Sequence, residues 1–136
     1  KENVKTVVIT GGEPLMWNLK PLTSRLRTEG YNIHLETSGA YPLSGKFDWI
    51  CLSPKKQSIT LDSVKKYVNE LKIIVHNKND FHYAEEQRKN LSTDCKLFLQ
   101  PEWSKKNKMI PIIIDFVKSN KDWVISLQNH KYMNVP

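Results

Sequence analysis

The chain has 136 residues, 39% of them apolar or aromatic, with 21 Lys and Arg against 14 Asp and Glu for a net charge of +7. That length supports a compact core, and no apolar stretch approaches the ~20 residues of a membrane-spanning helix. The lysines are scattered, in pairs such as Lys55-Lys56, Lys65-Lys66 and Lys105-Lys106, so the charge reads as solvated helix faces rather than a nucleic-acid groove.

Six apolar runs predict strands: Lys5–Thr10, Asn32–Glu36, Asp48–Leu52, Glu70–His76, Cys95–Gln100 and Trp123–Leu127. Several are nearly continuous rather than alternating, which predicts burial on both faces. Leu19, Leu22 and Leu26 recur at helical spacing, with Gly30 as the stop. Leu61, Val64 and Val68 make a second stripe, and Asp80 is expected to cap a polar helix reaching about Leu91. The clearest stripe is Met109, Ile112, Ile113, Phe116 and Val117. Its Pro111 belongs in a first turn, which starts that helix near Asn107. The segment Gly39–Phe47, rich in Gly, Pro and Ser, reads as a loop. Cys51 and Cys95 fall in predicted strands and are expected as free buried thiols, in keeping with a cytoplasmic setting. The start of the chain lacks the basic-then-apolar pattern of a secretory leader. Strands alternating with helices imply parallel pairing in one α/β domain spanning 1–136.

In such sheets ligands bind at the carboxyl ends of the strands. All six ends here are polar: Thr10–Pro14, Glu36–Gly39, Ser53–Lys55, His76–Asp80, Gln100–Glu102 and Ser126–Tyr132. The first, Thr10-Gly11-Gly12-Glu13-Pro14, combines glycines that admit close backbone approach with a carboxylate suited to an ammonium group. Its proline removes a competing amide donor. The pattern suits recognition of a ligand's α-amino group.

"TGGEP" after an apolar strand resembles the signature of the radical S-adenosylmethionine superfamily. "HLETSG", "CLSPK", "LQPEW" and "SLQNHKYMNVP" resemble its 7-carboxy-7-deazaguanine synthase family, over nearly the whole chain. The resemblance implies an α/β fold, a partial open parallel (β/α) barrel with six strands retained. It implies reductive cleavage of S-adenosylmethionine to methionine and a 5′-deoxyadenosyl radical, with a [4Fe–4S] cluster donating the electron. The substrate implied is 6-carboxy-5,6,7,8-tetrahydropterin, which loses ammonia as its ring contracts, with Mg²⁺ assisting. An electron donor such as flavodoxin and a homodimer are the partners implied, with no membrane.

Residue by residue, the resemblance implies that Gly11, Gly12 and Glu13 receive the methionine ammonium. Thr37 and Ser38 meet the cofactor's ribose or carboxylate, Ser53 and Lys55 its polar parts, and Gln100 its ribose or adenine. Gln128 and His130 hydrogen-bond the pterin, and the terminal carboxylate of Pro136 meets the substrate. The CxxxCxxC cluster motif of the superfamily is absent, and Cys51 and Cys95 cannot replace it. No metal ligand is assigned. The first strand corresponds to the family's second, so the chain is expected to be a carboxyl-terminal fragment that ends at its true terminus but does not begin at its true start. It is expected to be inactive alone, with an exposed sheet edge that favours self-association.

Two other functions fit parts of the sequence. A glycyl-radical-enzyme activase shares the superfamily signature but needs an open cleft, against which the QNHKY tail argues. A basic RNA-binding module would use the lysines with Trp and Tyr, and its RNA affinity would fall steeply with salt.

Overall fold

The computed structural model describes residues 4–135. The element order is β1 (Thr6–Ile9), α1 (Lys20–Thr28), β2 (Asn32–Thr37), β3 (Trp49–Leu52), α2 (Asp62–Lys65), β4 (Glu70–Val75), α3 (Asn79–Arg88), β5 (Lys96–Pro101), α4 (Lys106–Ser119), β6 (Trp123–Ile125) and α5 (Asn129–Tyr132). The six strands form an open α/β sheet in sequence order. Parallel registers such as Val7↔Ile33, Leu35↔Ile50, Cys51↔Glu70 and Leu99↔Ile125 run through it. The chain divides into two compact units, one comprising residues up to Leu71 plus Asn90–Cys95, the other Lys72–Lys89 and the chain from Lys96 onward. Among the described residues, no helix is long and apolar enough to cross a membrane.

In the first unit, Ile33, Leu35 and Thr37 of β2 are buried, as are Ile50 and Leu52 of β3 and Leu71 of β4. Leu19, Thr23, Val64 and Val68 from the helical segments are buried with them. The residues between, His34, Glu36 and Trp49, are only half-buried. Burial alternates along β2 and β4, where the expectation of cover on both faces is corrected, whereas Ile50, Cys51 and Leu52 of β3 are buried in succession. Helices close one side, and the other carries polar and aromatic groups. There the His34 and Trp49 rings lie 6.2 Å apart. Trp49 Nε1 donates to Glu70 Oε2 at 3.1 Å, and the Cys51 thiol donates to Glu70 Oε1 at 3.4 Å. Such alternation is what a single closed face requires of a pleated strand.

The helical stripes need correction too. α1 buries Thr23 rather than Leu22, which is 46% exposed. Thr23 fits because its hydroxyl donates to the Lys20 carbonyl and so enters the interior satisfied. The Leu61–Val68 stripe yields only the single helical turn of α2, yet Val64 and Val68 are still buried. Ahead of β3, Asp48 accepts from the Ile33 amide at 2.8 Å and the Arg27 guanidinium at 3.0 Å. Asn69 Oδ1 accepts from the Ile50 amide at 2.8 Å, tying the approach to β4 onto β3.

In the second unit, Ile73, Val75, Leu97, Leu99, Met109, Ile113 and Trp123 are buried. Phe81 of α3 stacks on Phe116 of α4, with centroids 4.2 Å apart and planes 4° off parallel. Trp123 Nε1 donates to Glu85 at 2.6 Å, and Arg88 donates to Asp122 at 2.6 Å. α4 starts at Lys106, so Pro111 lies within the helix rather than in its first turn. The proline is exposed, as is Asn107, four residues before it, whose carbonyl loses the usual helical amide donor. Asp80 is not a helix cap. It is fully buried, and its Oδ2 accepts from the amides of His76 and Asn77, closing the turn that leaves β4. α3 then ends at Arg88, short of Leu91, where Asn90 turns at φ 66°.

Cys51 and Cys95 are both buried thiols outside any disulfide, Cys95 immediately before β5 rather than within it. Burial, with the Glu70 carboxylate nearby, pushes the Cys95 thiol up to about 11. At pH 8 its thiolate is then scarce, so iodoacetamide is expected to label Cys95 about 100-fold more slowly than a free peptide thiol. Mass-spectrometric labelling checks this, with the denatured chain restoring the ordinary rate. Gly39 marks a second pressure point. It sits at φ +74°, and a Cβ there would come 2.7 Å from Leu52 Cδ1 and 2.9 Å from Thr60 Cγ2. Gly39→Ala is expected to cost about 2–3 kcal/mol. Denaturant unfolding measures it, and a loss under about 0.5 kcal/mol would contradict the packing described.

Candidate functional site

In the first unit, the carboxyl ends of β1, β2 and β3 come together through hydrogen bonds. After β1 the backbone turns through Gly11 (φ +93°) and Gly12 (φ +55°), a left-handed path that suits glycine. A Cβ on either would meet no atom within 4 Å, so the space above this turn is open. Glu13 follows, half-buried, and Pro14 and Leu15 pack into the interior behind it.

The Glu13 carboxylate gathers four donors. Its Oε1 accepts from the Leu15 amide at 3.2 Å and the Thr37 hydroxyl at 2.5 Å. Its Oε2 accepts from the Ser38 amide at 2.8 Å and from the Ser38 hydroxyl. Burial pushes the Glu13 carboxyl up, but the bonds from Ser38 and Thr37 outweigh it and hold the group below the ordinary carboxylate range. Thr37 and Ser38 are themselves buried. Thr37 Oγ1 also accepts from the Gly39 amide at 3.0 Å, and the Thr37 carbonyl accepts from the Ser53 amide at 2.7 Å. Glu13, Thr37, Ser38 and Ser53 thus form one bonded cluster, with the Gly11–Gly12 turn immediately before Glu13 in the chain. Lys55 lies just beyond it, exposed, with its carbonyl accepting from Ser58 in a turn.

In the second unit, Gln100 is buried at the carboxyl end of β5, and Gln128 follows the neighbouring β6 half-buried. His130 is exposed in the single turn of α5. Pro136 lies outside the described residues. Sequence reasoning missed the setting of Trp103 in this unit. Lys106 Nζ sits 4.1 Å and Lys131 Nζ 5.1 Å from its ring centre, with Tyr132 edge-on at 5.1 Å. The three-residue step from Trp103 to Lys106 was the readable half of that signal. It also missed His34, which the alternation along Ile33-His34-Leu35-Glu36-Thr37 assigns with Glu36 to the side opposite the core.

Two cysteines do not fit an iron–sulfur cluster held by three. The only two cysteines are buried, and no three His, Cys, Asp or Glu side chains gather to hold a metal among the described residues. The backbone at Gly11 and Gly12 does fit close approach by a ligand, because the space over it is open. A hollow of about 170 Å³ beside α1, lined by Lys20, Thr23, Ser24, Arg27, Gly45 and Lys46, includes none of the sequence-assigned residues.

No protein-family model matches the chain. Among curated proteins, it is 52% identical over 132 residues to the 7-carboxy-7-deazaguanine synthase of Flavobacterium psychrophilum, covering 97% of this chain and 63% of that protein. It is 46% identical to the Synechocystis enzyme, covering 95% of this chain and 62% of that protein. It is 37% identical to the Prochlorococcus marinus enzyme, covering 95% and 67%. Among solved structures, it superposes on the crystal structure of QueE from Escherichia coli with a TM-score of 0.80 at 30% identity, over 91% of this chain and 57% of that one. The chain spans about three-fifths of the length of the first two curated relatives. Sequence and fold agree, and the chain belongs to the 7-carboxy-7-deazaguanine synthase family.

Proposed function

We propose that this chain supplies the S-adenosylmethionine and pterin contacts of a radical enzyme that converts 6-carboxy-5,6,7,8-tetrahydropterin to 7-carboxy-7-deazaguanine with loss of ammonia, a carbon–nitrogen lyase step toward queuosine. The observation that carries the reading is the arrangement at the ends of three parallel strands, where Glu13, just after the Gly11–Gly12 turn, is bonded to Thr37 and Ser38, and the Thr37 carbonyl to the Ser53 amide, in a chain 52% identical to a curated synthase.

Bound S-adenosylmethionine supplies the radical chemistry, and the chain's residues orient and shield it. The turn at Gly11–Gly12 offers backbone groups to an ammonium. Thr37 and Ser38 hold the ribose or carboxylate side of that pocket, with Ser53 and Lys55 flanking it. Gln100, buried and amide-bearing, suits the polar edge of a ribose or adenine. Gln128, His130 and the carboxylate of Pro136 are assigned to the pterin. No residue of this chain is assigned to the cluster or to Mg²⁺. A reductant such as flavodoxin, a homodimeric assembly and a cytoplasmic setting belong to the same reading.

The test is an anaerobic assay of the gene product that contains this chain, supplied with the tetrahydropterin, S-adenosylmethionine and a reductant. The deazapurine product is expected, and its absence overturns the proposal. The 136-residue chain alone is expected to give no turnover. In the active protein, Gln128→Ala and His130→Ala are each expected to raise KM for the pterin about tenfold, a loss of about 1.4 kcal/mol of binding, with KM for S-adenosylmethionine unchanged. An equal rise in both constants would remove these residues from the pterin site.

A further inference from the structure

We infer that Glu13 is a positioning residue, a latch that joins the end of β1 to the end of β2 and so holds the Gly11–Gly12 turn beside it in place. The latch stands on the geometry alone, and only its effect on a ligand rests on the reading given under Proposed function.

A carboxylate has about four lone-pair positions. Here Oε1 takes the Leu15 amide and the Thr37 hydroxyl, and Oε2 takes the Ser38 amide and hydroxyl. All four positions are filled, and by donors from two segments: Leu15 is two residues along the chain, Thr37 and Ser38 are 24 and 25. An ammonium seeking this group would have to displace one of them. Thr37 and Ser38 are buried, so the displaced donor would lose its partner where water does not readily replace it. The backbone beside them is in the opposite condition. Gly11 and Gly12 are exposed, turn through positive φ and face open space. The anion therefore fixes the frame, and the turn next to it is what a ligand can reach.

Two experiments test this. The first needs no ligand and uses the 136-residue chain. Thermal midpoints are measured at pH 7 for the parent, Ser38→Ala, Glu13→Ala and the double variant. Ser38→Ala is expected to lower the midpoint by about 4 °C when Glu13 is present, and by less than about 1 °C when it is absent. Additive losses would overturn the latch. Because the Glu13 carboxyl is held below its unfolded value, its contribution is present above the ordinary carboxylate range and lost as pH falls through the lowered one. The gap between parent and Glu13→Ala is therefore expected to close on acidification, and a gap constant with pH would count against the latch.

The second experiment measures S-adenosylmethionine affinity in the full-length, cluster-loaded protein, well below every midpoint. Ser38→Ala is expected to weaken binding about threefold more when Glu13 is intact than in the Glu13→Ala background, where only its direct contact with the ligand is lost, and Glu13→Ala by itself about tenfold. A core control, Ile73→Val, is expected to leave affinity within about twofold, which a merely global loss of stability would not separate from the others. If Ser38→Ala leaves affinity unchanged or tightens it while Glu13→Ala abolishes it, the freed carboxylate is the ammonium's counter-ion and the inference fails. If the parent protein has no affinity for S-adenosylmethionine, the proposed function fails, and the melting experiment alone decides the latch.

Discussion

One constraint governs β2 and β4: a pleated strand sends successive side chains to opposite sides, and along these two strands only one set is buried. In β2 the residues Ile33, Leu35 and Thr37 go inward, leaving His34 and Glu36 on the other side. β4 repeats the arrangement, with Leu71, Ile73 and Val75 buried and Glu70, Lys72 and Ile74 half-buried. Burial of the first set supplies the stabilising hydrophobic energy, on the order of 1.5–3 kcal/mol for each large aliphatic side chain. The second set can then be polar at little cost, since those groups keep water or find partners, as Glu70 does with Trp49 and Cys51. A sheet sealed on both sides would have had no room for such groups.

The strands were legible because β-branched and aromatic residues cluster in short runs bounded by polar turns, and each predicted run overlaps an observed strand whose ends differ from it by at most two residues. What could not be read was which positions of a run would be open. Lys72 and His34 look incidental in an apolar context until pairing decides their side. Helices failed for other reasons. In α1, a threonine able to satisfy its own hydroxyl replaced the leucine expected inside. In α2, buried Val64 and Val68 are held by one helical turn and the chain beyond it, so a helical stripe did not need a long helix. Asp80 looked like a helix cap because spacing alone cannot tell the amides of a following helix from those of the preceding turn.

The candidate site shows the same division. The motif Gly11-Gly12-Glu13-Pro14 and the polar residues after each strand stand out in the sequence, because glycine pairs and clustered hydroxyls at strand ends are uncommon in a packed core. The occupancy of Glu13 does not stand out. Its main partners are 24 and 25 residues away, and only the parallel pairing of β1 with β2 brings them near. An unattached carboxylate invites assignment to a cation. The same carboxylate with its acceptor positions filled becomes part of the frame.

The placement of the tryptophans has an optical consequence. Trp49, half-buried and hydrogen-bonded to Glu70, belongs to the first compact unit, whereas Trp123, sealed and bonded to Glu85, belongs to the second. Each unit therefore carries one of these two indoles in a distinct environment, beside Trp17 in the first unit and Trp103 in the second. Replacing Trp17, Trp103 and one of the two with phenylalanine leaves the other as a fluorescent reporter of its own surroundings. Loosening of either half would then be visible as a red shift in that indole's emission, separately from the other half.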